Sequence, residues 1–431
     1  MTDTLFLVLN SLQSGFVILL SWWWFWVPLM LYAIVYGEMA QYNRLSYLST
    51  LKWVLIEIRV PQEAGKSLKA MEQIFVALHA MAAPKPPKNL KERYEAWRDR
   101  FIKGKIPHWL SLEIISIGGE IHYYIRVLEE YRDVAEAQIY GHYPDAELTQ
   151  VQDYLAQLPA ALPTGDLDIT GAEAALQKED VIPIKTYLEF EEEKPGKEDV
   201  KRIDPLAPLA EMMSSMQFGE YLAIQFLIRP TGDGWVKAGQ KVLDKIYEKP
   251  EKPRNDALDK TISGIEKGVG AIFGVEAAEE KKEDKKEGKK FGELSPGQQE
   301  VVKAMEKGFA KLAFETGIRI LYVAPKDRFV ASRVPGVFAA FKQYSTQALN
   351  GFKSGSSPEV KKGFGKAKKT LVNKEALFKR FKTREFPQKP FVLNTEELTT
   401  IFHFPDIGVK TPSLPRVEAK KGEPPAGLPT V

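Results

Sequence analysis

Leu110-Ser-Leu-Glu-Ile-Ile-Ser-Ile-Gly-Gly-Glu-Ile-His-Tyr-Tyr-Ile-Arg-Val-Leu128 holds two alternating runs on either side of Gly118-Gly119. Alternation puts every second side chain on one face of a strand, and a glycine pair supplies the backbone freedom of a tight turn, so the stretch predicts a β-hairpin. Ile121, Tyr123, Ile125 and Val127 share the inward face of its second strand. Upstream, Val54, Ile56, Ile58 and Val60 alternate until Pro61 and Gly65 end the run. Met71, Ile74, Phe75 and Leu78 then recur at helical spacing between Ser67 and Met81. Downstream, Tyr131, Val134, Ala135 and Ile139 mark a second helix, Pro144 stops it, and Ala146 to Leu155 supplies a further strand. The resulting order, β-α-β-β-α-β, predicts a ferredoxin-like unit.

A similar order follows. Ile184 to Phe190 and Tyr221 to Arg229 alternate, and between them Asp204-Pro205 introduces a helix through Leu206, Leu209, Ala210 and Met213. Trp235 to Glu248 is helical in pattern. Glu276 to Glu293 carries seven acidic and six basic residues with Phe291 as its one large apolar side chain, which cannot bury a core and predicts disorder or a solvated helix. Val302, Met305, Phe309 and Leu312 mark the next helix, Phe314 to Val323 a strand, Val337, Phe338, Phe341 and Tyr344 another helix, and Phe391 to Leu393 a last short strand. The expectation is therefore an α+β chain: a transmembrane anchor at 1–40, a ferredoxin-like domain at 50–160, a linker at 161–180, and a second ferredoxin-like domain at 181–393 with insertions at 235–293 and 351–389. Residues 394–431 give a short helix and a Pro-rich tail.

The anchor rests on Leu5 to Tyr36, because no charged residue lies between Thr4 and Gly37. A membrane-crossing helix needs about 20 apolar residues. Trp22, Trp23, Trp24 and Trp26 add an aromatic cluster of the kind that favours the membrane interface. Arg44, Lys52, Arg59 and Lys66 follow the run and no Lys or Arg precedes it. The positive-inside rule then predicts a single-pass inner-membrane protein with its N-terminus outside and its domains in the cytoplasm.

Composition narrows the chemistry. The 431 residues contain no cysteine, which excludes disulfides, thiolate metal sites and cysteine nucleophiles. Five histidines, at 79, 108, 122, 142 and 403, stand at no metal-ligand spacing. Gly65-Lys66-Ser67 imitates the end of a phosphate-binding loop, yet the first glycine of that motif would fall on Val60. The acidic run Glu189 to Glu193 reads as a solvated strand end before Pro195-Gly196. No nucleophile elbow is present. These absences predict a protein that is not an enzyme and that needs no cofactor or metal.

The net charge is only +3, but from Glu359 to Glu385 ten Lys and Arg stand against three Glu. Lys361, Lys362, Lys366, Lys368, Lys369, Lys379, Arg380, Lys382 and Arg384 alternate with Phe364, Phe378 and Phe381. Such a block predicts either contact with the phosphates of DNA or anionic lipid, or a solvated insertion that only keeps the chain soluble.

Several stretches carry a resemblance: Glu57-Ile-Arg-Val-Pro61, Ala70-Met-Glu-Gln73, Ser111-Leu-Glu-Ile114, Tyr143-Pro-Asp-Ala-Glu147, Asp204-Pro-Leu-Ala-Pro208, Ile224-Gln-Phe-Leu-Ile-Arg-Pro230 and Gly317-Ile-Arg-Ile-Leu-Tyr-Val-Ala324. Most specific are Leu393-Asn-Thr-Glu-Glu-Leu398 and Phe402-His-Phe-Pro405, with Thr411-Pro412, Arg416 and Lys420 beyond them. Together they resemble an uncharacterised bacterial membrane-anchored family linked to type IV secretion and conjugative DNA transfer. In many of its members such a region precedes a coupling-type ATPase of the TraG/VirD kind. The resemblance implies a docking component that recruits a hexameric, DNA-translocating ATPase carried on a separate chain.

Overall fold

The computed structural model describes residues 21–60, 68–82, 87–190, 204–247, 290–360, 362–363 and 365–405. The Gly65-Lys66-Ser67 stretch, most of the charged insertion before Lys290, and the tail beyond Pro405 lie outside the described residues. The chain divides into two units: residues 1–54, 84–108 and 128–130 form one, and residues 55–83, 109–127 and 131–431 the other.

The smaller unit contains helix α1 (Trp23–Thr50). Its α3 (Leu90–Phe101) follows α2 (Leu68–Ala82) of the larger unit in the sequence. The Tyr36 and Phe101 rings lie 6.2 Å apart, and the Tyr47 hydroxyl is 2.9 Å from His108 Nε2. Gly104, at φ +65°, fits against the Asn43 backbone where a Cβ would come within 2.3 Å of it. The membrane reading is corrected here. Among the described residues no helix is long and apolar enough to cross a membrane. The physical reason lies in α1: much of its apolar surface is amphipathic Trp and Tyr, and Glu38 and Arg44 enter before it ends. The part of the uncharged run at 5–20 lies outside the described residues. The single-pass anchor and the inner-membrane location are accordingly withdrawn.

The larger unit is built on one antiparallel sheet rather than two domains. Its strands are β1 (Trp53–Arg59), β2 (Leu110–Ile117), β3 (Glu120–Leu128), β4 (Glu147–Gln150), β5 (Leu167–Leu176), β6 (Tyr221–Pro230), β7 (Ala313–Pro325), β8 (Phe352–Ser354) and β9 (Phe391–Asn394). They run in the order β4-β1-β3-β2-β6-β7-β5-β8, with β9 also paired to β7. The pairing of β2 with β6, from Leu110↔Ile228 to Ile117↔Tyr221, fuses the two expected domains. Tandem ferredoxin-like domains are thus overturned. The expected linker at 161–180 contains β5, which pairs with β7 from Leu167↔Pro325 to Glu173↔Arg319. Ile184 to Phe190, expected as a strand, holds a 3-10 turn at Tyr187–Glu189.

The remaining helices are α4 (Arg132–His142), α5 (Ala207–Ser214), α6 (Gly234–Ile246), α7 (Pro296–Phe309), α8 (Arg333–Phe341), α9 (Lys366–Thr383) and α10 (Thr395–Ile401). One sheet face carries Ile115, Ala223, Leu321 and Val323, on which α9 lays Leu377, Phe378 and Phe381 beside Leu155 and Leu158. Burying each of those three α9 side chains contributes about 1.5–3 kcal/mol. The other face meets α2 and the end of α10 through aromatic contacts, with Phe226 and Phe402 centroids 5.7 Å apart and Phe75 and Phe314 6.3 Å apart. Leu243 of α6 and Val302 and Met305 of α7 join a separate core with Val181.

Candidate phosphate-contacting helix

The basic block forms α9, not a loose excursion. Lys, Ala and Leu are good helix formers, and the helix opens after Gly365 at φ +69°. It closes on Arg384, at φ +51° the one non-glycine residue among those described with positive φ. Glycine usually takes that closing position, because an L side chain there costs about 1–2 kcal/mol. The offsetting stabilisation comes from what the Arg384 side chain holds.

Arg384 is buried and grips two carboxylates. Its Nε donates to Glu113 Oε1 at 2.7 Å and its Nη2 to Glu113 Oε2 at 3.1 Å. Its Nη1 and Nη2 donate to Asp153 Oδ2 and Oδ1 at 2.6 and 3.1 Å. Glu113 also accepts from Ser111 Oγ, the Tyr154 hydroxyl and Gln225 Nε2. Burial works to raise the Glu113 carboxyl; the Arg384 charge and these donors outweigh it and hold its pKa below the usual range. Trp109 Nε1 donates to the Arg384 carbonyl at 3.0 Å.

Strand register explains why the charges meet. Tyr124↔Glu113, Glu113↔Gln225, Gln225↔Arg319 and Arg319↔Glu173 are successive cross-strand pairs, one polar rung over five strands. Arg319 donates to Gln225 Oε1, to Glu173 Oε1 and to the carbonyls of Arg380 and Glu385. The C-terminal turn of α9 is thereby locked onto the middle of the sheet.

Two residues of the expected contact set are therefore occupied elsewhere. Arg384 is inside the rung, and Arg380 is half-buried with its Nη1 3.3 Å from Glu173 Oε1. Lys362, Lys366, Lys368, Lys369, Lys379 and Lys382 are exposed, and Lys361 lies outside the described residues. At 100° per residue, Lys368, Lys379 and Lys382 fall within about 60° of arc that begins about 40° beyond Phe378, at the edge of the buried stripe. None of these three makes an ion pair among the described residues. Beside the first turns of α9 lies a cleft of about 380 Å³, lined in part by Lys326, Lys366 and Lys374.

The most specific motif, Leu393 to Pro405, is internal packing. Every residue of α10 is buried. Asn394 Oδ1 accepts the amides of Glu396 and Glu397, while Glu397 accepts from the Asn394 and Ile184 amides. Burial pushes the Glu397 carboxyl up to about 8. Glu396 accepts from Thr186 Oγ1 at 2.6 Å and Lys307 Nζ at 2.9 Å. Lys311 reaches both Glu396 and Glu72.

The histidines serve similar ends: His79 bonds the Thr231 carbonyl, His122 the Glu57 carboxylate at 2.7 Å, and His403 the Asp204 carboxylate at 2.9 Å. Among the described residues no group of three or more acidic or His side chains is placed to hold a metal. Sequence reasoning missed the rung, although Glu113 inside the apolar run Leu-Ser-Leu-Glu-Ile-Ile signalled a buried charge in need of a partner.

A family model described as a domain of unknown function, DUF8128, matches residues 40–416. The chain belongs to the DUF8128 family. The DUF8128 region takes in the whole sheet, the rung, α9 and α10. No curated protein matches the chain. The match carries no link to type IV secretion, conjugation or coupling ATPases, so the assignment drawn from resemblance is corrected to the DUF8128 family alone.

Proposed function

We propose that this DUF8128 chain is a non-enzymatic docking scaffold. One observation supports the reading above others: the fold's deepest ionic groups, in the rung and around α10, spend their hydrogen bonds on one another. Groups so engaged hold elements in place and leave no free acid, base or nucleophile at those points. The partner is a separate ATPase of the coupling type, a class supplied by the sequence resemblance alone. Purification of the full chain followed by mass spectrometry tests this. A P-loop ATPase recovered in near-stoichiometric amount supports docking; recovery of the chain without one, under gentle and cross-linked conditions alike, refutes it.

A second reading has its own support: α9 contacts phosphate, of DNA or of anionic lipid, through Lys368, Lys379 and Lys382 and the lysines of its first turn. Those side chains are exposed on a helix whose buried stripe, Leu377, Phe378 and Phe381, is fixed to the sheet. Replacing all three stripe lysines by Glu should abolish binding to heparin or DNA at low salt, with binding falling steeply as salt rises in the unmodified chain.

A further inference from the structure

The end of the sheet where β5 begins and β7 ends carries two features that the stripe reading does not use. One is the cleft of about 380 Å³ at the start of α9. Lys374 lines it and lies 2.8 Å from Asp168 Oδ1 and 3.7 Å from Glu359 Oε1. Lys326 and Lys366 also line it, and neither makes an ion pair among the described residues. The first turn of α9 holds no acidic residue. The positive end of the helix dipole thus adds to the charge of Lys326, Lys366 and Lys374, against which the cleft sets the carboxylates of Asp168 and Glu359.

The other feature is Phe218, 88% exposed and the most exposed large hydrophobic residue among those described. Hydrogen bonds tie its loop to the end of β7, next to the cleft residue Lys326. Arg328 Nη1 donates to the Phe218 carbonyl at 3.4 Å, the Arg328 amide donates to the Pro325 carbonyl, and the amide of the cleft residue Lys326 donates to Asp166. Gly219, at φ +87°, turns the chain against Pro325 and presents the ring.

We infer that this sheet end is a site for single-stranded nucleic acid, with a base stacked on Phe218 and backbone phosphate held by Lys326 and Lys366. The inference rests on the phosphate-contacting reading of α9 and names its ligand. An exposed aromatic ring and lysines without ion pairs, carried on the same end of the sheet, are the two kinds of group that bind unstacked bases and their phosphates. Duplex DNA keeps its bases stacked and offers none to Phe218. A bilayer presents a plane, whereas these lysines line a concavity that also contains Asp168 and Glu359.

The test is fluorescence anisotropy of the full chain with a labelled oligothymidylate, titrated at several salt concentrations. Phe218→Ala should weaken binding roughly 5- to 150-fold. Lys326→Glu with Lys366→Glu should weaken it and lower the slope of log affinity against log salt by about 1.4, as expected for two single-strand phosphate contacts. Lys237→Glu with Lys241→Glu, exposed on α6 over the separate core around Val181, should leave it within about twofold at physiological salt, where charges beyond about 8 Å are screened. Unchanged thermal melting confirms that each variant folds. Loss of binding through Lys379 and Lys382 with none through Phe218 or the cleft overturns the inference and leaves the stripe reading intact. A duplex bound as tightly as the single strand overturns it as well. Binding to phosphatidylserine vesicles but not to oligothymidylate overturns it in favour of lipid, and binding to neither removes both readings.

Discussion

Replacing Arg384 by Met should destabilise the fold by about 3–5 kcal/mol, the cost of removing one partner from a buried ion pair. The magnitude follows from the geometry. One guanidinium, with its side chain 1% exposed, donates to both oxygens of Glu113, itself 0% exposed, and to both oxygens of Asp153. Met fills the volume but leaves Glu113 charged and buried, with Ser111, Tyr154 and Gln225 as its remaining donors. The left-handed backbone at position 384 is as strained for Met as for Arg, so no relief offsets the loss. Urea unfolding followed by tryptophan fluorescence gives the free energy by linear extrapolation. Changing Glu113 to Gln in the same chain should restore part of the loss, because the uncompensated buried charge goes. The pH dependence has a definite sign. In the natural chain Glu113 is held below its ordinary value of 4.5, so its contribution is present above that pH and is lost as pH falls through the lower, folded value. In the Met variant, burial without Arg384 raises the carboxyl, so acidification from neutral pH should narrow the gap between the two proteins. A loss under about 1 kcal/mol, or a gap that widens in acid, refutes the clamp.

Two further perturbations probe the same architecture. Glu397, pushed up to about 8, binds a proton more tightly folded than unfolded, so its contribution is complete below 4.5 and is lost as pH rises through 8. Glu397→Gln should flatten that part of a melting-temperature profile between pH 5 and pH 8, and an unchanged slope would count against the buried carboxyl. Gly171→Ala should cost about 1–3 kcal/mol, since an added Cβ would sit 2.3 Å from the Ile320 carbonyl oxygen and 2.8 Å from Leu377. Chemical denaturation reads that loss directly.

Local periodicity carried the elements well and the architecture poorly, for one physical reason. The β2–β3 hairpin, the α2 stripe and β7 each announce themselves within a dozen residues, because side-chain alternation and helical spacing are local properties. What joins β2 to β6 is the complementarity of two apolar strands about 110 residues apart, and alternation does not say which edge a strand will find. β5 escaped because Leu-Asp-Ile-Thr-Gly-Ala-Glu-Ala-Ala-Leu is small and glycine-containing, the composition of a connection. The same limit applies to the site. The lysines of α9 were visible as charge, but Arg384 and Arg380 look like their neighbours in sequence and differ only in the carboxylates that the sheet brings under them. In the N-terminal run, absence of charge stood in for hydrophobicity, and the indoles and phenols of α1 are where those two properties part.

The polar helix α10 has a consequence for how the protein is made. Its Thr395 reaches Glu72 across 323 positions of sequence, and β9, just before it, pairs with β7. Until the ribosome has released these residues, the Glu72, Lys307 and Lys311 cluster and the aromatic face around Phe75 and Phe226 lack the element that covers them. Closure over such sequence distances is slow, since loop entropy is lost before contacts reward it. The nascent chain therefore carries an open apolar seam until β9 and α10 have been made.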